Sequence, residues 1–349
     1  MPYASLLRAV AIVALVGAPA VSYATSVSTS QGTANNFVAQ KSSATASAQS
    51  GAIVAGNVGS ALGGGGGSGP PVLGQTDYFN LRDLVGKSAA GERPLPFNAW
   101  VSGGYTGIDA KDRGGEFDGR VINVVGGVDY KFTDRFIVGG SVGYENLDID
   151  TTFNRGTFKG DGWGFGPYLG FKLNDQWRIS GLFNYSLLNY DVTNGNARTS
   201  GTFDATRWTT AANLSGDYKF NKWLFGPTAG VLYMQETQES YRDSANAAVD
   251  GGVIHLGRAS AGGTLGYDFG RVKPYAKLLG EYDFRHEAAV NLGNGVTASN
   301  DRLGAVVGGG VNFALVPDRV GGGIEATYNT LGRENLDVYT VKGRLAVKF

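Results

Sequence analysis

The chain has 349 residues, with 30 basic and 30 acidic side chains and no cysteine. Balanced charge excludes a strongly basic nucleic-acid surface, and the absence of thiols excludes disulfides, thiolate metal sites and cysteine nucleophiles. Glycine is unusually frequent at 56 residues, beside 17 Tyr, 18 Phe and only 10 Pro, a balance suited to closely approaching, twisted strands with aromatic girdles.

Residues 1–24 carry the features of a secretory signal peptide. Arg8 follows a charged amino terminus, Ala9 to Ala18 is an apolar core, Pro19 breaks it, and Ser22-Tyr23-Ala24 is a small-x-small cleavage site. Residues 25–76 are low in complexity, rich in Ser, Ala, Gln, Thr and Gly, and end in the run Gly63 to Gly67 and Pro70-Pro71. Such a stretch buries too little apolar surface to offset its ordering entropy, so a flexible segment is expected. Within it, Asn35-Asn36 reads as an ordinary polar pair. Residues 77–96 form a linker with a short helix in it. Asp77 caps it, Tyr78, Leu81, Leu84 and Val85 recur at helical spacing, and Gly86 or Gly91 ends it. It is expected on a rim or in a lumen. No apolar run after the first thirty residues reaches the length of a spanning helix.

From residue 97 the pattern becomes an alternation of two, and it persists to residue 349. Twelve strands are expected, at 97–108, 118–132, 134–149, 157–173, 175–192, 205–220, 222–237, 252–269, 271–287, 301–314, 318–331 and 335–349. In the second, Ile122, Val124, Gly126, Val128, Tyr130 and Phe132 alternate with Asn123, Val125, Gly127, Asp129 and Lys131. A soluble sandwich tolerates this pattern too, and the connections separate the two folds. Every second one is tight, as in Thr133-Asp134 and Asn221-Lys222, whereas 189–205, 235–252 and 286–300 are long and polar. Aromatics bracket the tight turns, among them Tyr130, Phe132, Phe136, Phe171, Trp177, Tyr218, Phe220, Trp223, Phe225, Tyr267 and Phe269. Tight turns on one side and long loops on the other describe an all-β fold, a transmembrane antiparallel up-and-down β-barrel in an outer membrane.

An inward polar face follows from the alternation. It holds Asp129, Glu145, Arg178, Arg207, Asp217, Arg258, Lys273, Lys277, Glu281, Asp283, Glu325, Lys342 and Arg344, with Lys172, Lys219, Asp268 and Arg285 in the same phase. Charges there avoid lipid and must be paired or hydrated. The excess of cations along the strands predicts a weak anion preference for an open lumen. No catalytic, cofactor or metal constellation emerges. The two histidines, His255 and His286, fall near loop-side strand ends without a nucleophile at motif spacing, and Asp148 with Asp150 reads as a solvated loop stem. An enzyme is therefore not expected.

The last strand reads VYTVKGRLAVKF. Tyr339, Val341, Gly343, Leu345, Val347 and Phe349 share its lipid face, and Lys342 and Arg344 its polar face.

Asn98-Ala-Trp-Val-Ser-Gly-Gly-Tyr105, Asn123-Val-Val-Gly-Gly-Val-Asp-Tyr130 and Phe136-Ile-Val-Gly-Gly-Ser-Val-Gly-Tyr144, with twelve strands and a terminal Phe349, resemble an autotransporter β-domain over residues 97–349. The resemblance implies a translocator in the outer membrane of a Gram-negative bacterium. Its partners would be outer-membrane lipids, periplasmic chaperones and the barrel-assembly machinery, and it would act as a monomer without nucleic acid or cofactor. It also implies an assembly signal at Val341, Gly343, Leu345, Val347 and Phe349, and a pore helix ahead of the first strand, for which residues 77–91 are placed. The segment 25–76 would then be a short or vestigial passenger. The alternative function is a small-solute channel or a structural outer-membrane barrel.

Overall fold

The computed structural model describes residues 30–62, 97–287, 291–293, 296–316 and 320–347. Twelve long antiparallel strands follow one another in chain order. They are β1 (Phe97–Ala110), β2 (Phe117–Thr133), β3 (Phe136–Thr151), β4 (Gly156–Lys172), β5 (Trp177–Asn194) and β6 (Thr199–Gly216). Then come β7 (Trp223–Gln238), β8 (Gly252–Tyr267), β9 (Val272–His286), β10 (Leu303–Val316), β11 (Val320–Leu331) and β12 (Leu336–Val347). Each pairs with its chain neighbours, and β12 pairs with β1 from Val101↔Leu345 to Ala110↔Leu336, which closes the barrel and leaves no open edge strand. A short piece, Tyr218–Phe220, continues β6 into the turn before β7. Two-strand ladders, Tyr241–Arg242 with Ala248–Val249 and Asn291–Gly293 with Val296–Thr297, decorate the long loops.

Tight turns cluster at one end. The rings around them form a continuous belt: Tyr130 to Phe132 at 4.7 Å, Phe132 to Phe136 at 5.8 Å and Phe136 to Phe171 at 6.4 Å between centroids. The belt continues through Trp177 and Tyr218, and through Trp223, Tyr267 and Phe269. A second belt includes Trp163 beside Tyr144 at 5.2 Å and Trp208 stacked on Tyr233 at 5.3 Å. On β4 the two belts stand about eight residues apart at Trp163 and Phe171, roughly 26 Å of strand and about 20 Å along the normal once strand tilt is included. Val124, Val128, Val142, Phe183 and Leu187 are exposed on the outer face of the wall. An apolar outer band of this height matches the hydrocarbon core that such barrels cross.

Beyond the second belt the phase inverts. Ile108, Phe117, Ile149, Phe158, Tyr190, Val192 and Phe203 are buried inside. On the outer face of the same strands stand Asp118, Asp150, Lys159, Asp161, Asp191 and Asp204, all but Asp161, which precedes Trp163, without apolar neighbours in their phase. Outside lipid a strand behaves as in a soluble sheet, apolar inward and polar outward. This explains the largest boundary error. Residues 189–205, expected as a polar loop, are the upper part of a hairpin in which β5 reaches Asn194 and β6 starts at Thr199.

Glycine supplies close approach within the wall. Gly127 faces Trp100 across the β1–β2 ladder and Gly139 faces Tyr168 across β3–β4. A Cβ at either position would lie 2.5 Å from the Trp100 ring or 2.3 Å from the Tyr168 ring. The rings lie over the space that a side chain would fill.

The main departure from sequence expectation is helix α1, Ser30–Leu62, 33 residues long. It occupies most of the segment expected to be flexible, and at 1.5 Å per residue it is about 50 Å long. The expected helix at residues 77–91 lies outside the described residues. Low complexity was misleading because a barrel wall surrounds the helix. Phe37, Val38, Ala39, Ala46, Ile53, Val54 and Val58 are buried, and so are Ser42, Ser43, Ser47 and Gln49. Burial follows one broad face, with Gln40, Lys41, Ala44, Thr45, Ala48, Ala52 and Ala55 half-buried opposite it, but the buried face mixes serines and Gln49 with apolar residues, so no amphipathic period marks it. Small side chains keep it thin, and Lys41 is its single charge. No helix among the described residues is long and apolar enough to cross a membrane by itself.

Candidate functional site

The lumen with α1 inside it is the site that the fold constructs. Phe37 lies edge-on to Phe117 at 5.9 Å and joins Ile149, Phe158 and Tyr190 in the apolar cluster of the long-loop end. Farther along, Asn123 Nδ2 donates to Ser50 Oγ at 2.8 Å. Ile53, Val54 and Val58 pack with Trp100, Ile137, Tyr168 and Leu182 at the short-turn end. The N-terminal end of α1 therefore sits at the long-loop end and its C-terminal end at the short-turn end. Each buried Phe, Val or Ile contributes roughly 1.5–3 kcal/mol relative to exposure.

Five polar networks fix the wall around the helix. At mid-height, Arg207 Nε donates to Glu236 Oε2 and Nη1 to Glu145 Oε1, both at 2.8 Å. Arg207 Nη2 donates to the Tyr190 hydroxyl at 3.2 Å, which donates to Glu236 Oε1 at 3.2 Å. This network borders a small cavity shared with Ser47, Ser50, Gly51 and Val54 of α1. Toward the short turns, Trp100 Nε1 donates to Tyr168 Oη at 2.9 Å, and Tyr168 donates to Asp129 Oδ2 at 3.0 Å. Arg178 pairs with Asp217 in the same half.

On the far side, Arg258 Nε donates to Asp283 Oδ1 at 2.6 Å, and its Nη1 lies 3.0 Å from Glu281 Oε2. Arg333 Nη1 reaches back from the loop after β11 to Asp283 Oδ2 at 2.7 Å. Lower down, Glu325 receives Tyr275 Oη at 3.0 Å, Lys277 Nζ at 3.4 Å and Lys342 Nζ at 3.5 Å. Between these groups and Ala44, Ala48, Ala52 and Ala55 of α1 runs a cavity of about 260 Å³. Lys41, Arg258, Lys277, Arg333 and Lys342 line it beside Glu281, Asp283, Glu287 and Asp301, and Glu325 pairs with Lys277 and Lys342.

Sequence reasoning missed six members of these networks: Trp100, Tyr168, Tyr190, Glu236, Tyr275 and Arg333. Glu236 is fully buried but lay in a stretch read as loop, although it continues the inward phase of Leu232 and Met234. Tyr190 is an aromatic in the polar phase. Arg333 sits outside any strand and carries no periodic signal. Arg285, expected inside, is exposed, because a bulge between Gly257 and Arg258 makes Arg258 face Asp283 and Gly257 face Arg285. Lys273 is half-buried, in phase with Tyr275 and Lys277. Lys219 donates to Asp268 at 3.0 Å near the short turns.

On β12, Val341 is exposed on the outer face, as is Gly343. Leu345, Arg344 and Val347 are described by their backbone pairing with β11 alone, and Phe349 lies outside the described residues. His255 Nδ1 lies 2.8 Å from Glu287 Oε1, and His286 Nδ1 donates to the Glu287 carbonyl at 2.7 Å. Both rings are thus engaged at a loop stem. Among the described residues no group of His, Asp or Glu is arranged to hold a metal ion.

The autotransporter β-domain family model matches residues 99–327. Solved structures of similar shape are translocator units. That of NalP from Neisseria meningitidis has TM-score 0.60 at 14% identity, over 77% of this chain and 93% of that one. The β-domain of Bordetella BrkA gives 0.58 at 17%, over 73% and 100%. The transport unit of AIDA-I from Escherichia coli gives 0.58 at 14%, over 77% and 95%. No curated protein matches the sequence. The structures establish a shared fold, and they do not favour the alternative of a solute channel. With the family model spanning more than half of its length, the chain belongs to the autotransporter β-domain family, an outer-membrane barrel.

Proposed function

We propose that this barrel carries the part of its own chain ahead of α1 across the outer membrane and retains α1 in the lumen afterwards. One observation supports the reading above others: α1 runs from the long-loop end, at Phe37 and Phe117, to the short-turn end, at Val58 and Trp100. Long loops face outward in outer-membrane barrels and tight turns face the periplasm. On that orientation Ser30 lies toward the cell-surface end of the lumen and Leu62 toward the periplasmic end. Residues 1–24 act as the signal peptide that delivers the chain. Thirteen paired or hydrated charges, from Asp129 to Arg344, serve the wall and the polar lumen. The reading assigns no enzymatic chemistry to the barrel.

Assembly belongs to the same proposal. Val341, Gly343, Leu345, Val347 and Phe349 form the lipid-phase face that periplasmic chaperones and the barrel-assembly machinery read, and outer-membrane lipids contact the exposed band. Phe349→Ala is expected to lower the amount of heat-modifiable barrel in the outer membrane several-fold, and a normal amount would exclude Phe349 from the signal. The export reading is tested with an epitope inserted between Ala24 and Ser30. Protease added to intact cells removes it if the reading holds. An epitope that resists until the outer membrane is opened contradicts it.

A further inference from the structure

A thin, nearly uncharged helix in a lumen needs something to fix its height. Shifting α1 by one turn exchanges Ala44 for Ala48 and Ala48 for Ala52 against the cavity, at little cost in packing. Phe37 and Lys41 are different. They are the aromatic and the single charge of the helix, they lie one turn apart, and Lys41 Nζ stands 5.5 Å from the Phe37 ring centre. Both engage the mouth of the barrel.

Lys41 Nζ donates to the Ser299 carbonyl at 3.3 Å, with Asp112, Asp283 and Asp301 supplying negative charge around it. Ser299 is itself held from two sides. Its N–H donates to Asp112 Oδ1 at 3.0 Å and its hydroxyl to Asp301 Oδ2 at 2.8 Å. Asp301 Oδ2 also receives the Glu334 N–H at 2.6 Å. Ala298 is buried in the cluster that contains Phe37, and Leu292 packs against it. At Gly115 a Cβ would lie 2.9 Å from Leu292 and 3.2 Å from Phe37, so these side chains meet over that glycine.

We infer that residues 296–302 form a strap across the long-loop mouth, seated by Phe37 and Lys41, which lock α1 at one height and hold the mouth closed over it. The strap's own strand pairing is slight, and its other anchors are single bonds: Ser299 to Asp112, the Asp283 N–H to the Arg302 carbonyl, and Arg333 and Glu334 to Asp301. Its two-residue strand, Val296–Thr297, pairs only with Asn291–Gly293, and with a shifted register. An isolated ladder this short is not stable in water. The neighbouring loop 332–335 is bonded to the strap through Glu334 and Arg333 to Asp301, and it has further bonds of its own, from Asn335 to Lys111 and Asp112 and from Arg333 to Asp283. The inference concerns what the strap rests on and does not depend on the direction of export.

Hydrogen exchange on the full-length barrel tests it. In Phe37→Ala/Lys41→Ala, amides of 296–301 are expected to exchange about tenfold faster or more, equivalent to roughly 1.4 kcal/mol of lost protection, while β1–β12 keep their rates. Val58→Ala, at the opposite end of α1, leaves the strap unchanged. Unchanged exchange at 296–301 in the double variant overturns the inference. Equal acceleration of the strap in Val58→Ala also overturns it, since the strap would then report general loosening. Heat modifiability measured in parallel shows whether each variant retains its barrel. A variant that loses it is replaced by Lys41→Met, for which the same two outcomes decide.

Discussion

Replacing Arg207 by methionine removes the one cation from a buried network that contains Glu145, Glu236 and Tyr190. Glu236 is fully buried and the Glu145 side chain is 13% exposed, so neither carboxylate can recover its lost partner from bulk water. Removing one member of a buried ion pair costs about 3–5 kcal/mol, chiefly through the charge left behind. With a urea slope of about 3 kcal/mol/M, the unfolding midpoint of the barrel in lipid vesicles falls by about 1–1.7 M. The reasoning makes a second demand. Adding Glu145→Gln and Glu236→Gln to Arg207→Met removes the stranded charges, so the triple variant should recover most of the loss. A single variant within about 0.5 kcal/mol of the parent, the range of ordinary surface substitutions, refutes the argument. So does a triple variant no more stable than the single one.

Three further expectations follow from local geometry. Gly139→Ala places a Cβ 2.3 Å from the Tyr168 ring, which Trp100 and Asp129 hold in place, and should cost about 1–3 kcal/mol in the same urea assay. A Cβ at Gly51 would lie only 3.0 Å from Leu232 Cδ1, so Gly51→Trp should dislodge α1 and raise single-channel conductance in planar bilayers; parental conductance would mean that α1 does not limit the lumen. The Glu334 N–H, followed by Ser299, holds the Asp301 carboxyl below the usual carboxylate range, against the opposing effect of burial. A depressed value contributes stability above the unfolded pKa of about 3.9, and that contribution is lost as pH falls through the folded value. The melting temperatures of the parent and Asp301→Asn should therefore differ at neutral pH and converge in acid, and a gap that persists in acid would contradict this role.

The barrel was legible in the sequence because lipid imposes a strict rule on the outer face. Val124, Val128 and Phe132 had to alternate with Asn123, Val125 and Asp129, and the tight turns with their aromatics marked one boundary. What escaped did so for physical reasons. Above the second belt the rule reverses, so Tyr190, Val192 and Phe203 point inward from a stretch that resembles a loop. One bulge at Gly257 was enough to turn Arg285 outward, and no alternation pattern announces a bulge. Arg333 acts from a loop, where periodicity carries no information.

Helix α1 is the most instructive case. Its composition predicts disorder in water, and that prediction omits the wall of small, polar and apolar side chains that packs against its buried face. The helix is defined by its container. The site is therefore readable only after the barrel has been closed, which is why residues 77–91, with a recognisable amphipathic pattern, drew attention away from 30–62.

The central claim is that α1 occupies the lumen with its N-terminal end at the long-loop mouth. The chain has no cysteine, so an introduced pair reports without background. Ser50 and Asn123 are in hydrogen-bond contact at 2.8 Å. A short thiol crosslinker applied to Ser50→Cys/Asn123→Cys in assembled outer membranes should join the two positions in most molecules, whereas pairing Ser50→Cys with a cysteine at Ser299, near Lys41, should yield little. Efficient linkage to position 299, or none to position 123 in correctly assembled barrels, would contradict the account.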